Sequence, residues 1–338
     1  HLWKGAFQSM KLILADKYTK ELCSLKNVGI DIDLNGTRDF EVSIQRDTWN
    51  SDYEYGGYIF SPDSEIGGRI GRIYSDTGLD VIKVCGLTWR GMLDGKIIEP
   101  PSGEDYKKVS GELNVVLKAL IEPEFGGFFV VSAENTGVNV NNYQFDRYCT
   151  LLEGINKMLL SKGYKLQIRY VEVNKQPGYI QIRAVPVVDY SSEIELSQDC
   201  GLDFQLNDIR NGYNHMIVAG KGELADRNVF HLYAWPDGSI RKQQYYVGID
   251  EITYVYENTS TETDKVEGES IKKFKEIMSR QEFGMNASTM NLDAQIGDIV
   301  GGRDYLTGIY MSQPVSNIIY TTDSDGIINV EYQLKGES

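Results

Sequence analysis

Histidine, proline, basic charge and long apolar runs are all scarce in this chain, and each scarcity removes a class of protein. Three histidines occur in 338 residues, and the two internal ones, His215 and His231, show neither HExxH nor any similar ligand spacing, so no zinc motif is present. No GxSxG elbow occurs either, and none of Cys23, Cys85, Cys149 and Cys200 has a flanking context that would activate a thiol. Those four cysteines lie too far apart for CxxC pairs or a compact disulfide framework, which predicts free, buried thiols in a reducing cytoplasm. The longest apolar runs fall well short of the roughly 18 residues that span a bilayer, and no charged-then-apolar leader opens the sequence, so no membrane anchor is expected. Lys and Arg number 34 against 49 Asp and Glu, a net charge of -15. An acidic surface of that kind repels phosphate, which argues against sequence-specific nucleic-acid binding while leaving room for a channel that DNA passes without sticking.

Against 8 prolines stand 22 tyrosines and 34 glycines, the composition of many short strands joined by tight turns. A chain this long buries roughly three quarters of its unfolded surface, enough for more than one core. Residues 1–9 read as a tag remnant, because Phe7-Gln8-Ser9-Met10 resembles the end of a cleavable tag before a native start, and they are excluded from the fold.

Val28, Ile30, Ile32 and Leu34 alternate with Gly29, Asp31 and Asp33, Asn35-Gly36 follows, and Phe40, Val42 and Ile44 alternate again, the pattern of a hairpin. Strand-like segments recur at 57–60, 69–74 and 81–84, so residues 10–101 read as a first small β-barrel domain. Leu113, Val116, Leu117, Leu120 and Ile121 then take helical spacing behind a cap at Ser110, and Leu151, Leu152, Ile155, Met158 and Leu159 repeat it. A hairpin of Leu166, Ile168 and Tyr170 with Ile180, Ile182 and Ala184, joined by a loop at 174–178, completes an α+β domain over 102–195. Residues 196–256 and 285–338 read as a second barrel, its last hairpin turning at Asp323-Ser324-Asp325-Gly326. Residues 257–284 read as an exposed helical excursion with a narrow stripe of Ile271, Phe274 and Met278. The expected fold class is therefore β-rich α+β, two small barrel-like domains flanking an α+β insert.

Each motif that imitates a chemical site has a plainer reading. Gly220-Lys221-Gly222-Glu223-Leu224-Ala225 matches GxGxxA, but the residues after it are strand-like, which leaves no helix N-terminus for a pyrophosphate. Tyr53, Tyr55, Tyr58 and Phe60 could stack on sugar, yet alternating aromatics in a strand more often fill a core or an interface. The 323–326 stretch lacks the ligands of a calcium loop, sequons at Asn35, Asn258 and Asn286 carry no weight without a secretory signal, and 49 acidic residues make any carboxylate pair uninformative. No catalytic, cofactor-binding or metal-ligating residue is assigned; His231 beside a carboxylate is the first place one would be sought.

Three stretches resemble the hub proteins at the tail tip of tailed bacteriophages and prophages. They are GLTWRGMLDGKIIEPP at 86–101, NHMIVAGKGELADRNV at 214–229 and QIGDIVGGRDYLTGI at 295–309, and their order and spacing cover nearly all of residues 11 to 335. Lys96 stands where arginine is the more usual residue. The resemblance implies a structural protein and not an enzyme: a homotrimer whose paired barrels form a pseudo-sixfold ring around a lumen, at the virion tail tip, assembled in the cytoplasm of a bacterial host. It implies as partners the distal tail or tail tube protein and a spike, fibre or tape-measure protein; the acidic balance of the chain adds the hypothesis of a negative lumen that repels the passing genome. Two other readings remain open at this point, a cell-wall-degrading or carbohydrate-active tail enzyme and a monomeric carbohydrate-binding module.

Overall fold

The computed structural model describes residues 10–173, 176–191, 195–196, 203–259, 265–286, 294–322 and 326–334. The tag-like residues 1–9, Cys200 and the turn residues 323–325 lie outside them, as do parts of the 174–178 loop and of the polar stretch before the last helix. The chain forms two compact units. One takes the chain up to Asp203 with Met285–Gly302 and Ser312–Leu334, the other Phe204–Gly284 with Arg303–Met311.

The larger unit begins with strands β1 (Leu12–Ala15), β2 (Glu21–Leu25), β3 (Gly29–Asp33), β4 (Asp39–Gln45), β5 (Tyr58–Phe60), β6 (Gly67–Ser75) and β7 (Val81–Thr88). They pair antiparallel in the order β3-β4-β7-β6-β5-β1-β2. The alternation in the sequence decides which face is dry: Ile30, Ile32, Phe40, Val42 and Ile44 are buried while Asp31, Glu41 and Ser43 point away. The hairpin after β3 is longer than the two-residue turn that Asn35-Gly36 suggests. The Asn35 side chain donates to Ser316 O at 2.8 Å and its N–H to Asn317 Oδ1 at 2.8 Å, so the turn is spread over five residues to reach another strand.

Glycines set the close approach of β6 to β7. A side chain at Gly86 would place its Cβ 1.9 Å from Arg69 O, and one at Gly68 would lie 2.1 Å from Leu87 O. The register slips between Ile70 and Arg72, which bends the sheet toward a half-barrel.

Helix α1 (Trp89–Asp94) follows β7 directly, capped by Thr88, whose Oγ1 accepts from Gly91 N at 3.3 Å. Then come β8 (Lys108–Glu112), α2 (Leu113–Phe125), β9 (Phe129–Val131), β10 (Asn139–Gln144), α3 (Leu151–Leu160), β11 (Tyr164–Val173), β12 (Gln176–Pro186) and the short β13 (Glu195–Leu196). The expected cap at Ser110 is corrected. Ser110 lies within β8 and accepts from Asn142 N, and Glu112 caps α2 by accepting from Val115 N at 3.0 Å. Gly111 takes φ +140°, and the last residue of β8, Glu112, is the cap. Burial pushes the Glu112 carboxyl upward, but hydrogen bonds from Thr136 and from the helix N–H groups outweigh it and hold the group below its usual range. The β11–β12 hairpin forms as the alternation predicts, with Leu166, Ile168, Tyr170, Ile180 and Ile182 buried, and β9 joins it in parallel. One apolar cluster runs from Ile13, Tyr58, Phe60 and Trp89 through α2 and α3 to this hairpin.

The smaller unit contains β14 (Asp203–Ile209), β15 (His215–Ala219), β16 (Val229–Ala234), β17 (Ile240–Arg241), β18 (Thr253–Glu257), α4 (Val266–Ile277) and β19 (Arg280–Asn286). Four strands make a sheet in the order β17-β16-β15-β18, and β14 pairs with β19 separately. Helix α4 is not an exposed excursion. Phe274 is fully buried, Met278 nearly so, and both join Met216, Val218, Leu232 and Ala234 in the core. A three-residue stripe is narrow for a helix, yet wide enough to cover one face of so small a sheet.

The remaining strands, β20 (Ile299–Arg303), β21 (Tyr310–Thr322) and β22 (Ile328–Leu334), return the chain to the larger unit. Sequence order groups them with 196–256, but Ile319, Tyr320 and Thr321 pair with Asp33, Ile32 and Asp31 of β3, making an eleven-stranded sheet. Pairing follows the open edge of β3, not proximity in sequence. The return is pinned by a buried ion pair: Lys165 Nζ lies 2.5 Å from Asp298 Oδ2, and Asp298 also accepts from the N–H groups of Val188 and Gln295. Desolvation drives the Lys165 amine below its ordinary pKa, opposed by the hydrogen bond it donates to Asp298.

Two stability changes test this architecture by urea unfolding. Gly86→Val should cost about 3 kcal/mol, since the strand backbone has to move to admit any Cβ. Lys165→Met should cost about 3–5 kcal/mol by leaving Asp298 buried and unpaired, whereas Lys165→Met with Asp298→Leu should recover most of the loss.

Candidate functional site

The polar face of the larger sheet holds a group of charges. Cross-strand register lays out one row as Thr321, Asp31, Glu41, Cys85 and Arg72, and a second as Asp39, Leu87 and Arg69. With Asp33, Thr37 and Met92, all of these side chains except Thr321 line a groove of about 810 Å³. Lys83 approaches Glu41 at 2.6 Å, Thr37 donates to Asp39, and Asp33 accepts from Gly36 N. Partial desolvation, followed by the neighbouring charges of Glu41, Asp39 and Asp33, raises the Asp31 carboxyl above its usual range. Leu87 is 48% exposed within this groove. The result is an acidic wall with an arginine margin, and among the described residues no three His, Cys, Asp or Glu side chains converge closely enough to hold a metal ion.

In the smaller unit the two internal histidines meet. His215 is buried on β15, and its Nδ1 lies 2.6 Å from Glu251 Oε1 and 3.1 Å from Thr253 Oγ1. Its Nε2 lies 2.8 Å from Nδ1 of His231 on β16, and the His215 ring stacks on Tyr233 at 4.5 Å. The carboxylate sought beside His231 is thus present one residue removed, as Glu251 through His215. The three groups form a chain of hydrogen bonds in which each ring nitrogen of His215 is already engaged, an arrangement that fixes the β16-β15-β18 register.

The other imitations resolve as structure. Gly220–Ala225 passes through a three-residue 3-10 turn into β16, with Gly222 at φ +110°. Tyr58 and Phe60 are core: Phe60 stacks on Tyr170 at 3.6 Å, and Tyr58 lies 4.8 Å from Phe128. Tyr53 stacks on Trp49, and Tyr55 alone of that set is well exposed. Cys85 and Cys149 are buried and free, but Cys23 is exposed on β2, against the expectation for it, because that edge strand is open to solvent on both faces.

No family model matches the chain, and no curated protein does. Solved structures do. The 43 kDa tail protein of prophage MuSo2 from Shewanella oneidensis matches with a TM-score of 0.52 at 12% identity, over 96% of this chain and 98% of that one. A tail protein from Neisseria meningitidis MC58 matches at 0.50 and 13%, over 96% and 97%. A chain of the p2 virion baseplate in its activated conformation matches at 0.50 and 11%, over 97% and 99%.

The chain has the fold of phage tail proteins.

Within the tail-protein fold, two of the three stretches that carried the resemblance supply a buried charge. In 86–101, Arg90 is 2% exposed and donates from Nε to Glu65 Oε1 at 2.5 Å and from Nη2 to Leu166 O at 3.3 Å. In 295–309, Asp298 holds Lys165. Lys96, in place of the expected arginine, pairs with Glu124 at 3.2 Å and lies over the Phe125 ring. The acidic wall of the tail-protein sheet was the feature missed from sequence. Asp31, Asp33 and Glu41 were visible as the polar half of an alternation, but nothing in the order of residues showed that Asp39 and two arginines would share their face.

Because Asp31 binds a proton more tightly in the folded state than when unfolded, its contribution favours the fold at low pH and is lost as pH rises through its raised pKa. Asp31→Asn should therefore stabilise the protein at neutral pH by about 0.2–1 kcal/mol, the worth of relieving a like-charge pair, and flatten the stability-pH curve on the side above the ordinary carboxylate pKa. Denaturant midpoints across pH read both effects.

Proposed function

We propose that this chain is a structural hub of a phage or prophage tail, placed at the tail tip or baseplate and without catalytic activity. The observation that carries the reading is the extent of the likeness: it runs over nearly the whole of this chain and of each tail protein. The assembly is a homotrimer in which each chain contributes two barrel-like positions, six in all, so that one face meets a sixfold tail tube and the other a threefold spike or fibre. Its partners are the distal tail or tube protein and the spike, fibre or tape-measure protein.

The acidic groove supports a lumen role for the polar face of the larger sheet. A wall of carboxylates repels a phosphate backbone over about 8–10 Å at physiological salt, close enough to keep a passing genome from adhering.

Two measurements decide the reading. Gold-labelled antibody against this chain should mark the tail tip of intact virions, and light scattering on the purified protein should give the mass of three chains. Label absent from the virion, or a monomer that releases fragments from bacterial cell walls, would replace the hub by a wall-degrading enzyme.

A further inference from the structure

Asparagine before glycine is the dipeptide in which a backbone nitrogen most readily attacks a side-chain amide, because glycine brings no Cβ to hinder the approach and its backbone turns freely. The chain holds two such pairs, Asn35-Gly36 and Asn211-Gly212. The structure treats them differently. Asn211 is exposed and its side chain makes no hydrogen bond among the described residues, while Gly212 N donates to the Ser279 hydroxyl at 3.2 Å. Asn35 is half-buried and fastened at two points to β21, its N–H donating to Asn317 Oδ1 and its Nδ2 to Ser316 O, each at 2.8 Å. Its Oδ1 is enclosed without a hydrogen-bond partner, and the potential attacking group, Gly36 N, is held by Asp33 Oδ1 at 2.6 Å.

Both fastenings come from the returning strand. Ser316 and Asn317 precede the point at which Ile319 pairs with Asp33 of β3. Asn317 is itself 3% exposed, and its Nδ2 donates to Gln333 Oε1 on β22 at 3.1 Å. The side chain of Asn35 is therefore fixed only as long as the C-terminal hairpin sits against β3.

We propose that Asn35-Gly36 is a latent deamidation site gated by β21: the amide is locked while the C-terminal return is paired with β3 and converts when the return opens. The chemistry needs only water. Gly36 N bonds to Asn35 Cγ and gives up its proton, the Cγ–Nδ2 bond breaks, and ammonia carries that proton away; water then opens the cyclic imide to aspartate or isoaspartate. Attack requires Asn35 Cγ to swing onto Gly36 N, and the two bonds to β21 hold the side chain in place, so conversion draws on the opened fraction alone. The change is one-way. A carboxylate has no hydrogen to donate to Ser316 O and meets it acceptor to acceptor, and isoaspartate also inserts a methylene into the backbone beside Asn317. A converted chain thus loses the tie by which the return is seated, whatever the protein's role in the virion.

Mass spectrometry of the tryptic peptides Asn27–Arg38 and Asn211–Lys221, from protein held warm at neutral pH, follows both sites, each conversion adding about 1 Da. The free Asn27–Arg38 peptide, incubated alongside, sets the unrestrained rate. In the folded wild type Asn35 should convert at least about tenfold more slowly than in that peptide, and more slowly than Asn211. Asn317→Ala, which removes the acceptor for Asn35 N, should speed Asn35 at least about tenfold, and so should sub-denaturing urea applied to the wild type, which needs no variant to fold. Wild-type Asn35 that keeps pace with the free peptide or with Asn211 overturns the gate. So does an Asn35 that stays slow in both folded Asn317→Ala and urea.

Discussion

The contact between Phe60 on β5 and Tyr170 on β11, rings stacked 3.6 Å apart, is the constraint from which the larger unit is built. It joins a strand of the large sheet to the hairpin of the α+β segment, and Trp89, at the start of α1, lies 6.2 Å from both Tyr170 and Tyr58. Each aromatic side chain so buried contributes about 1.5–3 kcal/mol. Burial pushes the Tyr170 phenol well above its ordinary pKa, keeping it neutral where a charge would be costly. Because the same rings serve sheet and hairpin, neither half completes its core without the other.

The two buried cations follow from that joint. Arg90 reaches Glu65 and the carbonyl of Leu166, and Lys165, one residue earlier on β11, reaches Asp298 on the returning chain. Lys165 acts through its side chain and Leu166 through its backbone carbonyl, so two neighbouring positions on β11 hold two different partners. The hairpin thereby acts as a hinge-pin that fixes both the first sheet and the C-terminal strands. Charges taken this far from water are poor sources of stability but strong specifiers of arrangement, since a misplaced partner leaves an uncompensated ion. That is a fitting property for a protein whose proposed role is to present fixed surfaces to neighbours.

The outer surfaces divide by charge in a way the cores do not. The larger unit turns carboxylates outward across two strands, β3 and β4, with Arg69 and Arg72 at the margin. The smaller unit exposes apolar and β-prone residues near its open edge, Val247, Ile249 and Val255 among them.

The sequence by itself determined the local elements. The alternation from Val28 to Ile44 named the dry face of the first hairpin, the spacing from Leu151 to Leu159 named α3, and the strand pattern after Gly222 excluded a dinucleotide turn, because periodicity records which side of an element is buried. The tail-hub resemblance lay in stretches holding Arg90 and Asp298, residues whose burial leaves them little freedom. Only the tertiary structure decided what those elements meet. Pairing of β21 with β3 spans nearly the whole chain, the burial of α4 depended on how small a sheet it had to cover, and the acidic wall arose from register across β3, β4, β6 and β7. Long-range register is set by which edge stays open and which cavity needs filling, and neither quantity is written in the order of neighbouring residues.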